Sequence, residues 1–208
     1  HPYVGTDIKV VAKRIQKRLD ITVCVPFVAV HTTSKEFYFE KVKLLTDVIK
    51  QLVTSRFGQF DVTVSLNTRD NPNKSDYYLT LTGSAIESGD EGVVGRGNRY
   101  NGVIPFTRHM SMEACCGKNP VYHVGKLYTA ISSLISDEIF RLTGLETYVY
   151  LTSQMGRSLS DPWSACVDVC GRKATSTEYQ LIEEIVERAL SNANETTRKI
   201  VRGELNLF

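Results

Sequence analysis

Apolar residues recur along this chain in two patterns, one typical of helices and one typical of strands. Between residues 34 and 58 they return every three or four positions, which predicts a helix that Ser34 caps and Gly58 ends. Its apolar positions are Phe39, Val42, Leu45, Ile49 and Leu52. Strands are predicted at 61–66 and 77–82 from alternation, and before the helix at 19–30 from β-branched residues.

The second half of the chain has a similar order. A helix is predicted from residue 126 to Gly144, followed by strands at 147–153 and 163–169 and by a last helix with a cap near Ser176. The apolar stripe of that last helix is Tyr179, Ile182, Ile185, Val186, Ala189 and Leu190. This repetition predicts an α+β fold of repeated β-α-β-β units, with helices packed on mixed or antiparallel sheets.

We predict two domains from this order. The first covers residues 1–112 and consists of a β-α-β-β unit with a Gly- and Arg-rich loop. The second covers residues 113–208 and is an α-β-β-α unit.

Charge and composition disfavour several classes of protein. The chain has 25 Lys and Arg against 23 Asp and Glu, and a net charge of +2 is too small to indicate a nucleic-acid or membrane partner. The longest apolar run, at 23–30, contains Pro26 and is too short to cross a bilayer. Five cysteines, an odd number, do not suggest a disulfide framework. We therefore expect a cytoplasmic protein.

The segment from 83 to 117 carries the candidate chemistry. It contains seven glycines, and its run GDEGVVGRGNR at 89–99 includes two arginines. Glycines let backbone amides approach phosphate oxygens, and an arginine binds two of those oxygens at once. Five further residues extend the basic character: Arg108, His109, Lys118, His123 and Lys126. Neither a P-loop nor a dinucleotide-binding motif is present, so from the residues alone a solvated loop and a phosphate site both fit.

Four segments resemble the signature blocks of archaeal S-adenosylmethionine synthetases. They are TGSA at 82–85, GDEGVVGRGNRYNG at 89–102, MSMEA at 110–114 and GKNPVYHVGK at 117–126. Weaker similarity extends over nearly the whole chain and corresponds to the carboxyl half of these enzymes. Their amino-terminal Gly-His-Pro-Asp block is absent here, so the resemblance implies that this chain is a fragment of a longer enzyme. We expect the fragment to be inactive alone.

The resemblance implies methionine adenosyltransferase activity. The methionine sulfur attacks C5′ of ATP, and the displaced triphosphate is hydrolysed to phosphate and diphosphate. It also implies Mg²⁺ and K⁺ as cofactors and a homodimer with sites between subunits. A thioether has no proton to lose, so the barrier consists mainly of alignment and of the charge on the leaving group.

The family pattern implies roles for three catalytic residues. Arg96 follows the Gly-Asp-x-Gly-x-x-Gly motif and Lys118 precedes Asn-Pro, so both are expected to hold the triphosphate. Asp90 is expected to contact the ATP ribose or the methionine ammonium group.

Three more residues are predicted to bind ATP or its triphosphate. Gly97 stands where the bacterial branch of the family has a lysine, and Arg99 is expected to supply that charge. His123 and Lys126 lie where the bacterial branch has further polar groups, with a spacing that differs by one residue. No metal ligand is assigned.

Other interpretations stay open. A non-enzymatic RNA- or nucleotide-binding module could use the GRGNR loop at 95–99. A zinc site of Cys166, Cys170 and the Cys115–Cys116 pair lacks the usual ligand spacing. Cys115 and Cys116 could be sensitive to oxidation near the site, although packing is favoured. His123 could also cap the helix that follows it.

Overall fold

The computed structural model describes residues 1–84, 100, 107–110, 115, 117–121 and 123–207. These residues form two compact units. The first unit contains residues 1–84 and Gln154–Gly156, and the second contains the other described residues from 100 onwards. The predicted domain boundary between residues 112 and 113 lies outside the described residues.

The first unit contains one long helix and two small sheets. Its elements are β1 (Lys9–Ile15), β2 (Arg18–Cys24), β3 (Phe27–Val28), α1 (Lys35–Arg56), β4 (Asp61–Leu66) and β5 (Leu79–Thr80). β1 and β2 form an antiparallel hairpin, and β4 pairs with β2 in parallel. β3 and β5 form a separate parallel pair. The helix α1 lies between β2 and β4 in the chain, because a parallel pair needs such a crossover.

The core of the first unit lies where α1 packs on β4, and Phe27 and Tyr38 are fully buried in it. Asn67 ends β4 with a positive φ of 46°, which asparagine tolerates better than most residues. Its carboxamide accepts a hydrogen bond from the Val25 N–H at 2.8 Å and donates one to the Val25 carbonyl at 2.9 Å. The side chain of Asn67 therefore replaces a main-chain pair at the end of the sheet.

Most predictions for the first unit are confirmed, and three details are wrong. The Ser34 hydroxyl caps α1 by accepting from the Phe37 N–H. The predicted strand at 19–30 is two strands separated at Val25–Pro26, because proline has no N–H to donate to a sheet. Leu52 is 52% exposed and therefore lies outside the buried stripe. The strand predicted at 77–82 is only β5, and the sequence did not predict β1.

The second unit packs three helices and a hairpin around one core. Its elements are α2 (Val124–Thr143), β6 (Thr147–Thr152), β7 (Ser164–Val169), α3 (Ser176–Ser191) and α4 (Ala193–Val201). β6 and β7 are antiparallel, with Thr147 opposite Val169. The fully buried face of α2 includes Ile131, Ile135 and Ile139 at intervals of four residues, and it packs against β6 and α3.

The predicted helix ends in the second unit are close to the observed ones. Gly144 ends α2 in the left-handed conformation, with φ of 69°, as expected for a glycine at this position. α3 begins with a capping box between Thr175 and Glu178, one residue before the predicted cap. Tyr179 is 51% exposed, so it is not on the buried stripe, and α4 was not predicted. The predicted α+β class with mixed and antiparallel sheets is confirmed.

Candidate functional site

The described part of the candidate site is the turn before α2. Gly117 has a positive φ of 75°, and the Asn-Pro pair at 119–120 follows it. The Asn119 side chain accepts a hydrogen bond from the Val121 N–H at 2.8 Å, and its carbonyl accepts one from the His123 N–H at 2.9 Å. Asparagine commonly closes turns in this way. The turn therefore returns the chain to the start of α2 in a fixed shape.

His123 caps α2, as the sequence suggested. Its Nδ1 atom accepts a hydrogen bond of 3.2 Å from the Lys126 main-chain N–H. An imidazole nitrogen can accept a hydrogen bond only when it carries no proton. This cap therefore requires the His123 tautomer that is protonated at Nε2. The ring is therefore held by its Nδ1 atom at the first turn of the helix.

Lys126 is buried, with only 8% of its surface exposed. Its ammonium group donates a hydrogen bond of 2.7 Å to the main-chain carbonyl of Lys118. Lys118 itself is half-buried. The structure therefore brings together three of the predicted phosphate-binding residues, Lys118, His123 and Lys126, at one end of one helix.

The electrostatics of this end of α2 favour an anion. Helix N-termini carry a partial positive charge because their first amides have no partner inside the helix. Acidic residues, which usually offset that charge, are absent from the first turn of α2. The buried ammonium group of Lys126 adds to the same field. Phosphate groups bind at such helix ends.

The remaining predicted site residues, Asp90, Arg96 and Arg99, lie outside the described residues. Tyr100, which follows Arg99 in the chain, is half-buried, and burial raises the pKa of its hydroxyl. That hydroxyl has a hydrogen bond with the side chain of Ser133 on α2. The described residue next to the arginine-rich run is therefore attached to the same helix as Lys126.

Two residues of the basic cluster have other partners. The Arg108 guanidinium forms an ion pair with Glu146. The ring of His109 lies edge-on to the ring of Tyr148 on β6, with 5.0 Å between the ring centres. Both contacts are within the second unit, and they attach residues 108–109 to the region around β6.

The cysteines do not form a metal site in the part of the chain that is described. Cys115 is fully buried, which agrees with the packing interpretation, and Cys116 is not among the described residues. Cys166 is an exposed free thiol. In the described ranges, no group of three or more His, Cys, Asp or Glu side chains could hold a metal ion. The described residues therefore give the zinc interpretation no support, and they identify no magnesium ligand.

Sequence reasoning missed two residues near the site. Asn119 had a signal, since Asn-Pro is a common turn pair, and its side chain closes the turn after Lys118. Ser133, which contacts Tyr100, had none, because a serine on a helix gives no indication of a distant partner.

No described helix is long and apolar enough to cross a membrane.

Comparison with known proteins agrees with the resemblance. Residues 1–204 match the family described as S-adenosylmethionine synthetase (AdoMet synthetase). The chain is 39% identical to the S-adenosylmethionine synthase of Thermococcus onnurineus, over 100% of this chain and 52% of that protein. It is 37% identical to a probable S-adenosylmethionine synthase of Aquifex aeolicus, over 98% of this chain and 51% of the relative.

A third relative, the S-adenosylmethionine synthase of Pyrococcus furiosus, is 36% identical over 100% of this chain and 52% of its own length. The chain thus spans about half the length of these curated relatives. The match covers both structural units, since it extends from residue 1 to residue 204. The chain belongs to the S-adenosylmethionine synthetase family.

Proposed function

We propose that this chain is part of a methionine adenosyltransferase, which makes S-adenosylmethionine from ATP and L-methionine. The observation that carries the proposal is the position of Lys118 and Lys126. The Lys118 carbonyl and the Lys126 ammonium group meet at the N-terminus of α2, and the field of the helix there favours a polyphosphate. The enzyme is proposed to be cytoplasmic, with no nucleic-acid or membrane partner.

The proposed reaction needs binding and alignment more than proton transfer. The sulfur of methionine forms a bond to C5′ of ATP, and the bond from C5′ to the triphosphate oxygen breaks. The electron pair of that bond leaves with the triphosphate, so negative charge grows on the departing oxygen. Fixed positive groups lower this barrier because they are already oriented before the bond breaks. Water then cleaves the triphosphate into phosphate and diphosphate.

The residues of this chain are proposed to supply those positive groups. Arg96 and Arg99 bind phosphate oxygens through their guanidinium forks, and Lys118 adds an ammonium group beside the start of α2. His123 and Lys126 complete this part of the site.

Asp90 is proposed to contact the ATP ribose or the ammonium group of methionine. A carboxylate suits either partner, because it accepts hydrogen bonds from a hydroxyl or from a cation.

Mg²⁺ and K⁺ are proposed as cofactors, and a homodimer with sites between subunits as the active form. Bound cations would neutralise phosphate charge, and Mg²⁺ prefers oxygen ligands. The described residues supply no cluster of carboxylates for it, so no ligand and no step of the reaction are assigned to the metal.

The proposal is tested by titrating the chain with tripolyphosphate in a calorimeter. Lys118→Met should weaken binding by roughly 10- to 150-fold, since a hydrogen bond to a charged group contributes about 1.5–3 kcal/mol. Lys199→Met is the matched control, because Lys199 is an exposed lysine of α4 in the same unit. It should leave the affinity unchanged.

Competition then separates the enzyme from the RNA-binding alternative. ATP should displace tripolyphosphate from the chain, whereas single-stranded RNA should not. A steep loss of RNA affinity with salt, together with no preference for ATP, would favour a nucleic-acid-binding module instead.

A further inference from the structure

Lys126 occupies a position that helix stability alone disfavours. It is the third residue of α2, where the partial charge of the helix end is positive, and a cation there is repelled. It is also buried, and an ammonium group loses most of its hydration when it leaves water. No acidic partner of its side chain is found within the described residues. Repulsion by the helix end and loss of hydration both disfavour a lysine at position 126. The hydrogen bond that Lys126 makes therefore indicates a role other than stabilising α2.

The contact that Lys126 makes is with the main chain of another cation. Its ammonium group donates to the carbonyl of Lys118 at 2.7 Å, across eight residues of sequence. The turn between these lysines is closed by two more hydrogen bonds, from the His123 N–H to the Asn119 carbonyl and from the Val121 N–H to the Asn119 side chain. The main chain from which the Lys118 side chain emerges is therefore fixed to the first turn of α2.

We infer that Lys126 is a positioning residue for Lys118. Its ammonium group fixes the Lys118 carbonyl, and this directs the Lys118 side chain towards the phosphate site at the N-terminus of α2. The hydrogen bond by which Lys126 holds the turn does not depend on the proposed function. The direction of the Lys118 side chain towards a phosphate site rests on that function. Lys126 thus acts on the triphosphate through Lys118.

Burial supports this role over direct binding of phosphate. A side chain with 8% exposure offers little surface to a ligand, and one of its donors already points to the Lys118 carbonyl. Lys118 is more exposed than Lys126. A precisely held group binds a ligand more tightly because less conformational freedom is lost on binding.

The first test needs no ligand. Amide hydrogen exchange is measured by NMR on the chain, on Lys126→Met and on the control Lys199→Met. In Lys126→Met the amides of Val121 and His123 should exchange about tenfold faster, because their turn has lost one of its restraints. The amides of Ile131 and Ile135 inside α2 should be unchanged. Unchanged exchange at Val121 and His123 would overturn the inference, and equal acceleration along all of α2 would show general destabilisation instead.

The second test asks whether the ammonium of Lys126 touches the phosphate. Tripolyphosphate affinity is measured for Lys118→Met, Lys126→Met and the double variant, at a temperature where circular dichroism shows each variant to be folded. Lys126→Met alone should weaken binding about tenfold, because a misplaced Lys118 loses affinity. In the Lys118→Met background, Lys126→Met should cause no further loss, because a residue that acts through Lys118 has no effect once the Lys118 ammonium group is gone.

The outcomes separate the two proposals. A further loss of affinity when Lys126→Met is added to Lys118→Met would make Lys126 a direct ligand and would overturn the inference. Full affinity in folded Lys126→Met would make its role structural only, and would also overturn it. If the unmodified chain fails to bind tripolyphosphate, the phosphate site proposed at the N-terminus of α2 fails, and hydrogen exchange still decides whether Lys126 holds the turn.

Discussion

The ammonium group of Lys126 donates a hydrogen bond of 2.7 Å to the main-chain carbonyl of Lys118. This contact joins two positively charged residues of one signature block, at the end of α2 that favours anions. The contact therefore holds the main chain of Lys118 at the end of α2 where we propose that the polyphosphate binds.

Arg96→Ala tests the leaving-group role in a full-length enzyme that contains this chain. Loss of one preoriented donor to developing charge should lower kcat by roughly 100- to 1,000-fold, about 2.7–4 kcal/mol in activation free energy. The melting temperature should change little, and the exposed Arg56→Ala variant should affect neither quantity. Parallel losses of melting temperature and rate would show that Arg96 is a structural residue. Steady-state kinetics and calorimetry provide the two readouts.

His123→Ala should destabilise the start of α2. The variant loses the acceptor of the Lys126 N–H, and loss of an N-cap typically costs about 0.5–2 kcal/mol in the free energy of unfolding. His123→Asn should recover most of that loss, because asparagine is a favoured N-cap. Urea unfolding measures both variants. Equal stability of the Ala and Asn variants would contradict the capping role.

Tyr38→Phe should destabilise the first unit by about 1–3 kcal/mol, since it leaves buried polar groups without partners. The Tyr38 hydroxyl donates to Asp70 at 2.5 Å and accepts from the Asn67 side chain at 2.9 Å and from the Tyr78 N–H at 3.1 Å. Tyr179→Phe, at an exposed position, is the control and should change stability by less than about 0.5 kcal/mol. Chemical unfolding compares the two variants.

The effect of Tyr38→Phe should also depend on pH. Burial raises the pKa of the Asp70 carboxyl above 3.8, while the hydrogen bond from Tyr38 opposes this rise. A raised pKa means that Asp70 favours folding below pH 3.8 and loses that contribution as the pH rises through its folded-state pKa. Removing the Tyr38 hydroxyl should raise the pKa of the Asp70 carboxyl further. The loss of stability should therefore be larger near neutral pH than below pH 3.8, and a pH-independent loss would contradict this coupling.

Glu178 should titrate far below an ordinary glutamate. A hydrogen-bonded ion pair with Arg172, assisted by the Thr175 N–H, lowers the pKa of its carboxyl from 4.5 to about 2. Because its pKa is lowered, the ionised Glu178 carboxylate stabilises the folded state above pH 4.5. This contribution is lost as the pH falls from 4.5 to about 2. Carbon-13 NMR of the carboxyl group measures the titration.

The Arg172→Gln variant tests the cause of that shift. It should move the Glu178 pKa most of the way back towards 4.5. Lys173→Gln removes a neighbouring exposed charge without removing the hydrogen bond, so it should leave the titration nearly unchanged. Similar shifts in both variants would assign the effect to general electrostatics.

Helix positions could be predicted because their signals are local. The Ser34 hydroxyl and Gly144 act within one turn of the residues they cap, and the isoleucines of α2 repeat with the helical period. β1 could not be predicted from alternation, because most of its residues are exposed on both faces and its pairing depends on β2. α4 is short and polar, and it begins directly after Asn192 ends α3.

The basic residues of the candidate site and the cap of its helix have signals in the sequence, whereas the contacts of these residues do not. The basic residues around 117–126 and the capping role of His123 follow from sequence, and the structure confirms the cap. The bond from Lys126 to a main-chain carbonyl leaves no sequence signal, because every residue at position 118 would offer the same acceptor. The resemblance, rather than composition, predicted the family, and the match over residues 1–204 confirms it.

A crystal structure of the chain with an unreactive ATP analogue tests the central claim most directly. The account predicts that the phosphate groups lie at the N-terminus of α2, within hydrogen-bonding distance of the Lys118 ammonium and of the Arg96 guanidinium, with the Lys126 ammonium still on the Lys118 carbonyl. Phosphates bound elsewhere, with Lys118 and Arg96 directed into solvent or into ion pairs within the protein, would contradict it.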